Sequence, residues 1–339
     1  MQDTSQIPFE QVLDALLQEE RTIQPVSLYR LSSLEGKERD LLDQRWPMIP
    51  VARRRTLLEE LEAFAEEDTL LCYEPIARIG LGDSDPDVRV VSIRMLWDEE
   101  SPGLENVLLN LQENDLDERV RAGAGSALGH FVYQGELDEI PAETLKVIEE
   151  QLLCTVHGPD STLVRRKALE ALGFSSRPEV MGLIENAFAS ADDDWVVSAL
   201  FAMGRSADRR WAGDVLRVMN SENPLIRLES VRAAGELEIK RAGPKLIELL
   251  DDADGEVRGA AIWSLSQIGG EGVAEALEAL LEENVDEEEV ALLEEALDNL
   301  AFNEGLGSFD LFDFDEDALN DLTEFDLVDE GDYEDDEAT

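Results

Sequence analysis

Apolar residues recur along the chain with a helical period, and the helical segments themselves recur. Aligned on Arg258, equivalent slots fall at Arg89, Arg121, Arg165, Val196, Arg227, Arg258 and Val290, spaced 31 or 32 residues apart except for one interval of 44. One residue before the slot stand Val88, Val120, Val164, Trp195, Ile226 and Val257. Three after it come Ser92, Ala124, Ala168, Ala199, Ser230 and Ala261, and seven after it Leu96, Leu128, Leu172, Met203, Ala234 and Leu265. Offsets of −1, +3 and +7 share one face of a helix with 3.6 residues per turn. The small residues at +3 let neighbouring helices approach closely. Four residues before each slot come Asp85, Asp117, Ser161, Asp192, Asn223, Asp254 and Asp286. Each has a side-chain oxygen able to accept an unpaired N–H of a helix's first turn. Pro86 and Pro224 follow at the first helical position, where a missing N–H costs nothing. Gly129, Gly173, Gly204 and Gly235 are expected to mark where these helices end.

A second amphipathic segment completes each unit, as in GLENVLLNLQEN, PEVMGLIENAFAS, GPKLIELLDD and GVAEALEALLEE. Two short helices cannot bury an apolar face alone, so the units must stack as an α-solenoid. The pattern D-x-x-VR-x-x-A-x-x-AL-G resembles the short HEAT-type repeat, the variety also called phycobilisome-lyase HEAT-like, over about residues 84–302. The resemblance implies an all-α fold, a right-handed α-α superhelix. MIPVARRRTLLEELEAFAEE and TLLCYEPIARIGLGD form an earlier, degenerate unit, so the array spans residues 51–302 with about eight units and an insertion near 133–146. Residues 1–50 read as a helical cap broken at Pro25, Pro47 and Pro50, and residues 303–339 as an acidic, largely disordered tail.

Charge narrows the partners. The chain has 28 Lys and Arg against 79 Asp and Glu, a formal charge of −51, and no basic residue follows Arg258. A field of that sign repels phosphate backbones and anionic membranes, so neither nucleic acid nor membrane is expected. The acidity reads first as solubility and alternatively as attraction to a basic partner, and a protein partner is expected. The N-terminus lacks a basic stretch followed by an apolar one, and no segment is apolar for long enough to span a bilayer, so the chain reads as cytoplasmic. Cys72 and Cys154 stand far apart and read as buried thiols.

Little here supports catalysis, and no cofactor is expected. His130 and His157 are the only histidines, and neither neighbours a Glu in sequence. Deoxyhypusine hydroxylases, which share HEAT-type repeats, hold iron through His-Glu pairs that this chain lacks. HEAT-like DNA glycosylases use a basic concave face, and bilin lyases share the repeat without the repeat implying their activity. A HEAT-like lyase or oxidoreductase is therefore the disfavoured alternative to a non-catalytic scaffold or adaptor. The slot arginines Arg89, Arg121, Arg165, Arg227 and Arg258 are read as clamps onto the cap acids Asp85, Asp117, Asp192 and Asp254, of their own unit or the next. Arg53, Arg54 and Arg55 are expected on an exposed face among acids, with an acidic partner as the alternative. The row five residues after the slot contains Phe201, Arg232 and Trp263, aromatic and guanidinium groups on a face directed away from the core. That composition suits a binding hot spot, the alternative being that these side chains pack under a loop or a neighbouring helix. In the tail, Phe309, Phe312 and Phe325 alternate with acids, a pattern suited either to folding on a partner or to closing the last repeat. The tail alternative is an acidic, chaperone-like binder of a basic partner.

Overall fold

The structure, a computed structural model, describes residues 7–18, 23–283 and 286–308. Among these residues every regular element is helical. Three helices form the cap: α1 (Phe9–Leu16), α2 (Pro25–Tyr29) and α3 (Gly36–Arg45). Slot-bearing helices then alternate with second helices. They run α4 (Val51–Glu67) and α5 (Glu74–Gly80), α6 (Pro86–Met95) and α7 (Leu104–Asn114), α8 (Glu118–Glu136) and α9 (Ala142–His157). Next come α10 (Thr162–Leu172) and α11 (Pro178–Phe188), α12 (Asp193–Arg205) and α13 (Ala212–Val218). The array ends with α14 (Pro224–Glu236) and α15 (Gly243–Glu248), α16 (Gly255–Ile268) and α17 (Val273–Glu283), and α18 (Glu287–Ser308). The long interval is absorbed by helix rather than loop, since α8 has 19 residues and α9 has 16. The last helix runs past residue 302 to Ser308; Phe309, Phe312 and Phe325 lie outside the described residues.

Slot helices pack on one another from unit to unit, while second helices touch chiefly the slot helices beside them. The more tightly packed row forms the inside of the curve of such a stack. The predicted stripe is buried. Val88, Ala124, Ala168, Leu172, Ala199, Met203, Ala234, Ala261 and Leu265 are essentially inaccessible. The cap helices share a separate core with α4 and α5, built on Leu16, Leu31, Leu42, Trp46, Leu57 and Leu61. Asp85, Asp117, Ser161, Asp192, Asn223, Asp254 and Asp286 all cap their helices, each side chain accepting a first-turn N–H.

Gly173 stands at the C-cap of α10, and Gly204 and Gly235 stand one residue before the last of α12 and α14, as expected, while Gly129 lies within α8. None of Gly129, Gly173, Gly204 and Gly235 has a positive φ. The left-handed residues that end α8, α12 and α14 are instead Asp138, Ala207 and Glu238. The glycines serve close approach: a Cβ on Gly173 would lie 2.8 Å from the Ala202 Cα, and one on Gly129 3.1 Å from the Ala171 Cα. Gly129, Gly173 and Gly204 therefore seat their helices on Ala171, Ala202 and Ala233 of the next unit, and Gly235 meets Ser264 and Trp263.

A ladder of ion pairs fastens the turns. Arg89 donates through Nε and Nη2 to Asp115 at 2.8 and 2.7 Å. Arg121 does the same to Asp160 at 2.9 and 2.7 Å, and Arg227 to Asp252 at 2.8 Å for both. Each also donates through Nη1 to a carbonyl six residues earlier, as Arg89 does to Asp83, Arg121 to Asp115 and Arg227 to Ser221. Arg258 donates to the Asp252 carbonyl and pairs with Glu289 at 3.2 Å. One aspartate thus joins two units, its carboxylate holding the previous arginine and its carbonyl the next. This corrects the expected partner. Asp85, Asp117, Asp192 and Asp254 cap helices but do not clamp slot arginines; Asp85 pairs with Arg55 and Asp117 with Arg119. Asp83, Asp115 and Asp252 stand two residues earlier, where an aspartate also accepts the cap residue's own N–H, as Asp115 and Asp252 do at 2.9 Å. Asp160 stands one residue before its cap Ser161, and Glu289 three after Asp286. Arg54 continues the ladder into the first unit. It is buried against Asp83 at 2.7 Å, not exposed as expected. Cys72 and Cys154 are exposed, because their neighbours Tyr73 and Leu152 take the inward positions.

Two outcomes follow. Gly173→Ala lowers stability by about 1–3 kcal/mol through overpacking, although helix propensity alone predicts a gain of up to about 1 kcal/mol; the sign of the change in Tm decides between them. Arg227→Gln leaves the Asp252 carboxylate without its cation and costs about 2–3 kcal/mol at pH 7. The Arg227 hydrogen bond holds the Asp252 carboxyl below the ordinary aspartate range. Its stabilisation is present above that range and lost as pH falls through the lowered value, so the gap between variant and wild type narrows in denaturant titrations from pH 4 towards pH 2.

Candidate interaction surface on the inner row

The slot helices carry a second face, one turn away from their buried stripe. Phe201 on α12, Arg232 on α14 and Trp263 on α16 line one cavity of about 230 Å³, together with Arg205, Glu229 and Glu236. The structure therefore brings the three row residues together. Their exposures differ: Phe201 is half-buried, while Arg232 is exposed and Trp263 is 40% accessible. Phe201 is covered by the Arg205 guanidinium, 5.1 Å from its ring centroid. Arg205 also lies 5.4 Å from the Phe174 ring, which stands 5.3 Å from Tyr133. Beyond Tyr133 on α8, the His130 ring lies tilted at 42° to that of Trp97, centroids 6.2 Å apart, and Trp97 is 46% accessible.

The row five after the slot is thus only half of the face. Phe174 and Arg205 sit nine after their slots, one turn further along the same side, and so do His130 and Glu236. Extending the +5 row by the i, i+4 relation was the sequence signal that could have found them. The remaining row members do other work. Glu170 is buried, bonded to Lys167 Nζ at 2.6 Å and Ser198 Oγ at 2.7 Å. Arg94 pairs with Glu62 on α4.

Two larger grooves flank this face. One, of about 780 Å³, has Gly259, Trp263 and Leu292 as its apolar part and Asp254, Glu256 and Glu288 among its acids. Its two cations are engaged, Arg232 with Glu229 at 2.8 Å and Arg258 with Glu289. The other, of about 760 Å³, lies beside Trp97 and Tyr73 among Glu62, Glu66, Glu74 and Glu99. Burial, with help from Glu74 and Asp98, pushes the Glu99 carboxyl up. Burial likewise raises Glu229 and Glu236, against the opposing pull of Arg232 and Arg205 respectively. An apolar strip bordered by carboxylates is the result. Among the described residues, no three His, Cys, Asp or Glu side chains converge as a metal site requires, and no helix is long and apolar enough to cross a membrane.

Residues 213–298, from α13 into α18, match the family described as HEAT repeats. This segment is built of HEAT repeats. No curated protein matches the chain. Among solved structures, YibA of Escherichia coli is similar at 19% identity over 84% of this chain and 99% of its own, with a TM-score of 0.42. The complex of CpcE and CpcF of phycocyanin lyase from Nostoc is similar at 19% identity over 67% of this chain and 94% of that one, with a TM-score of 0.44. Human deoxyhypusine hydroxylase is similar at 18% identity, covering 87% and 96%, with a TM-score of 0.38. Likenesses this distant carry no function across to this chain.

The raised carboxyls give this surface a pH signature. A native carboxyl held above its unfolded value costs stability once ionised, so the contribution of Glu236 declines as pH rises from the unfolded value through the folded one. Glu236→Gln is expected to melt higher than wild type at pH 7 and level with it at pH 4. A variant that melts lower at pH 7 would mean that the contact between Arg205 and Glu236, 3.4 Å apart, outweighs the burial cost.

Proposed function

We propose that this chain is a non-catalytic scaffold or adaptor that holds a protein partner along the inner row of its slot helices, in the cytoplasm. The observation that carries the reading is the continuous strip from Trp97 through Tyr133, Phe174, Arg205 and Phe201 to Trp263. Large aromatic and arginine side chains left accessible on a rigid scaffold are the residues that dominate protein–protein binding energies. The flanking carboxylates favour a partner with basic residues beside its apolar contacts, since complementary charge speeds encounter and fixes register. The arginine ladder lies at the turns, apart from this strip, whereas the glycine seats border it, Gly235 meeting Trp263 and Gly204 meeting Glu236.

The test uses the full chain as bait beside a Phe201→Ala, Trp263→Ala double variant and a chain ending at Ser308. The double variant is expected to lose the captured partner at least tenfold while melting within a few degrees of wild type, and truncation is expected to leave capture intact. Capture also weakens as salt rises from about 0.05 to 0.5 M, because ionic screening shortens the reach of the carboxylates. Loss of capture on truncation alone assigns binding to the acidic tail instead. Undiminished capture by the double variant overturns the reading.

A further inference from the structure

One rung of the ladder is built differently. Among the described residues, Arg54, Arg89, Arg121, Arg227 and Arg258 each pair with a carboxylate: Asp83, Asp115, Asp160, Asp252 and Glu289. Arg165 has the same slot but faces Ser190, which occupies the position that Asp83, Asp115 and Asp252 hold in other units. The backbone there is the same. Ser190 Oγ accepts the Asp192 N–H at 3.1 Å, as the aspartates accept theirs at 2.8 to 2.9 Å. Arg165 donates Nε to the Val156 carbonyl at 2.9 Å, and its guanidinium lies 5.4 Å from the Trp195 ring centroid. The nearby carboxylates are committed elsewhere, Asp160 to Arg121 and Asp194 to Arg166.

Arg165, Ser190 and Trp195 line a cavity of about 290 Å³, with His157, Asn186 and Leu183 around them. That volume is several times the ~30 Å³ a water takes in the liquid. We propose that this cavity is a binding site for a carboxylate, the Asp or Glu side chain of a partner peptide, with the Arg165 fork as its receptor. The chemistry is suggested by the neighbouring rungs, where the slot arginine takes an aspartate through Nε and Nη2; with the Arg165 Nε held by the Val156 carbonyl, its Nη groups are what it offers a carboxylate. A planar guanidinium matches a planar carboxylate in this way, and the match survives where a single ammonium would not discriminate. Trp195, half-buried, offers its ring to the carbons behind the carboxylate, and Asn186 and the exposed His157 place further polar groups at the rim. The site is separate from the inner-row strip and stands whether or not that strip binds a partner.

The substitution Ser190→Asp tests the idea from inside the chain, because it supplies the carboxylate that the other rungs possess. The probe is the blocked tripeptide acetyl-Leu-Glu-Leu-amide, titrated into the full chain while the arginine Nε–H and tryptophan indole resonances are followed by NMR. The glutamine tripeptide and inorganic phosphate serve as comparison arms, and Arg165→Gln identifies the Arg165 signal. Wild type is expected to show saturable shifts of Arg165 and Trp195 with the glutamate peptide, at least tenfold weaker with the glutamine peptide. Ser190→Asp is expected to melt higher than wild type and to lose the response at least tenfold. Shifts that do not saturate, a response unchanged in Ser190→Asp or Arg165→Gln, or tighter binding of phosphate than of the peptide each overturn the proposal.

Discussion

Everything in this molecule depends on how closely one slot helix can lie against the next. A pair of helices this short has too little apolar surface to fold alone, so each unit is stable only when its stripe is covered by a neighbour. Small side chains at the contact set the distance. Ala124, Ala168, Ala199 and Ala261 are fully buried, and Gly173 meets the next helix where even a methyl group would collide with backbone. Close approach in one row, with the second helices spread outside it, gives the array an inner and an outer side. The arginine ladder then fixes the turns. Each aspartate of the type of Asp115 or Asp252 bonds its own cap N–H, the previous unit's arginine and, through its carbonyl, the next. Register is thus transmitted from unit to unit by a single residue type.

Packing buries each slot helix well beyond its stripe, Leu169, Leu200, Val231, Ala202 and Ala233 included, and the units differ most in the row five residues after the slot. Ser126, Glu170, Phe201, Arg232 and Trp263 are equivalent in position and unlike in chemistry. The solenoid places these unlike residues side by side, so a surface pattern arises from sequence positions some 31 residues apart. Aromatic rings meet guanidinium groups along this line, and carboxylates border it. The overall charge of −51 is the background from which the strip stands out.

Much of this was legible in the sequence, for a physical reason. Periodicity and capping are local rules, so the stripe, the caps at Asp85 and Asp254 and the order of helices could be read directly. The +5 row placed Phe201, Arg232 and Trp263 on one side because helix geometry and unit spacing together fix their neighbourhood. What escaped were contacts between units. The partner of Arg89 is Asp115, a loop residue whose role depends on how two turns meet, although the repeated pairs Asp83–Asp85, Asp115–Asp117 and Asp252–Asp254 were the visible trace of it. Gly173 ends α10 as its position suggested, but only the distance to Ala202 shows that it also answers to the next helix. Arg54 was taken for a surface charge because a run of three arginines hides which one points inward. Phe174 and Arg205 were missed because the face was read one turn too short.

The central claim is that stacking turns one face of the slot helices into the surface that meets a partner. Hydrogen exchange on the full chain, alone and saturated with its partner, tests it most directly, since backbone amides report contact without any substitution. The account predicts slowed exchange in α12, α14 and α16, around Phe201, Arg232 and Trp263, with α11, α13 and α15 unchanged. Protection confined to the second helices, or to residues after Ser308, would contradict it.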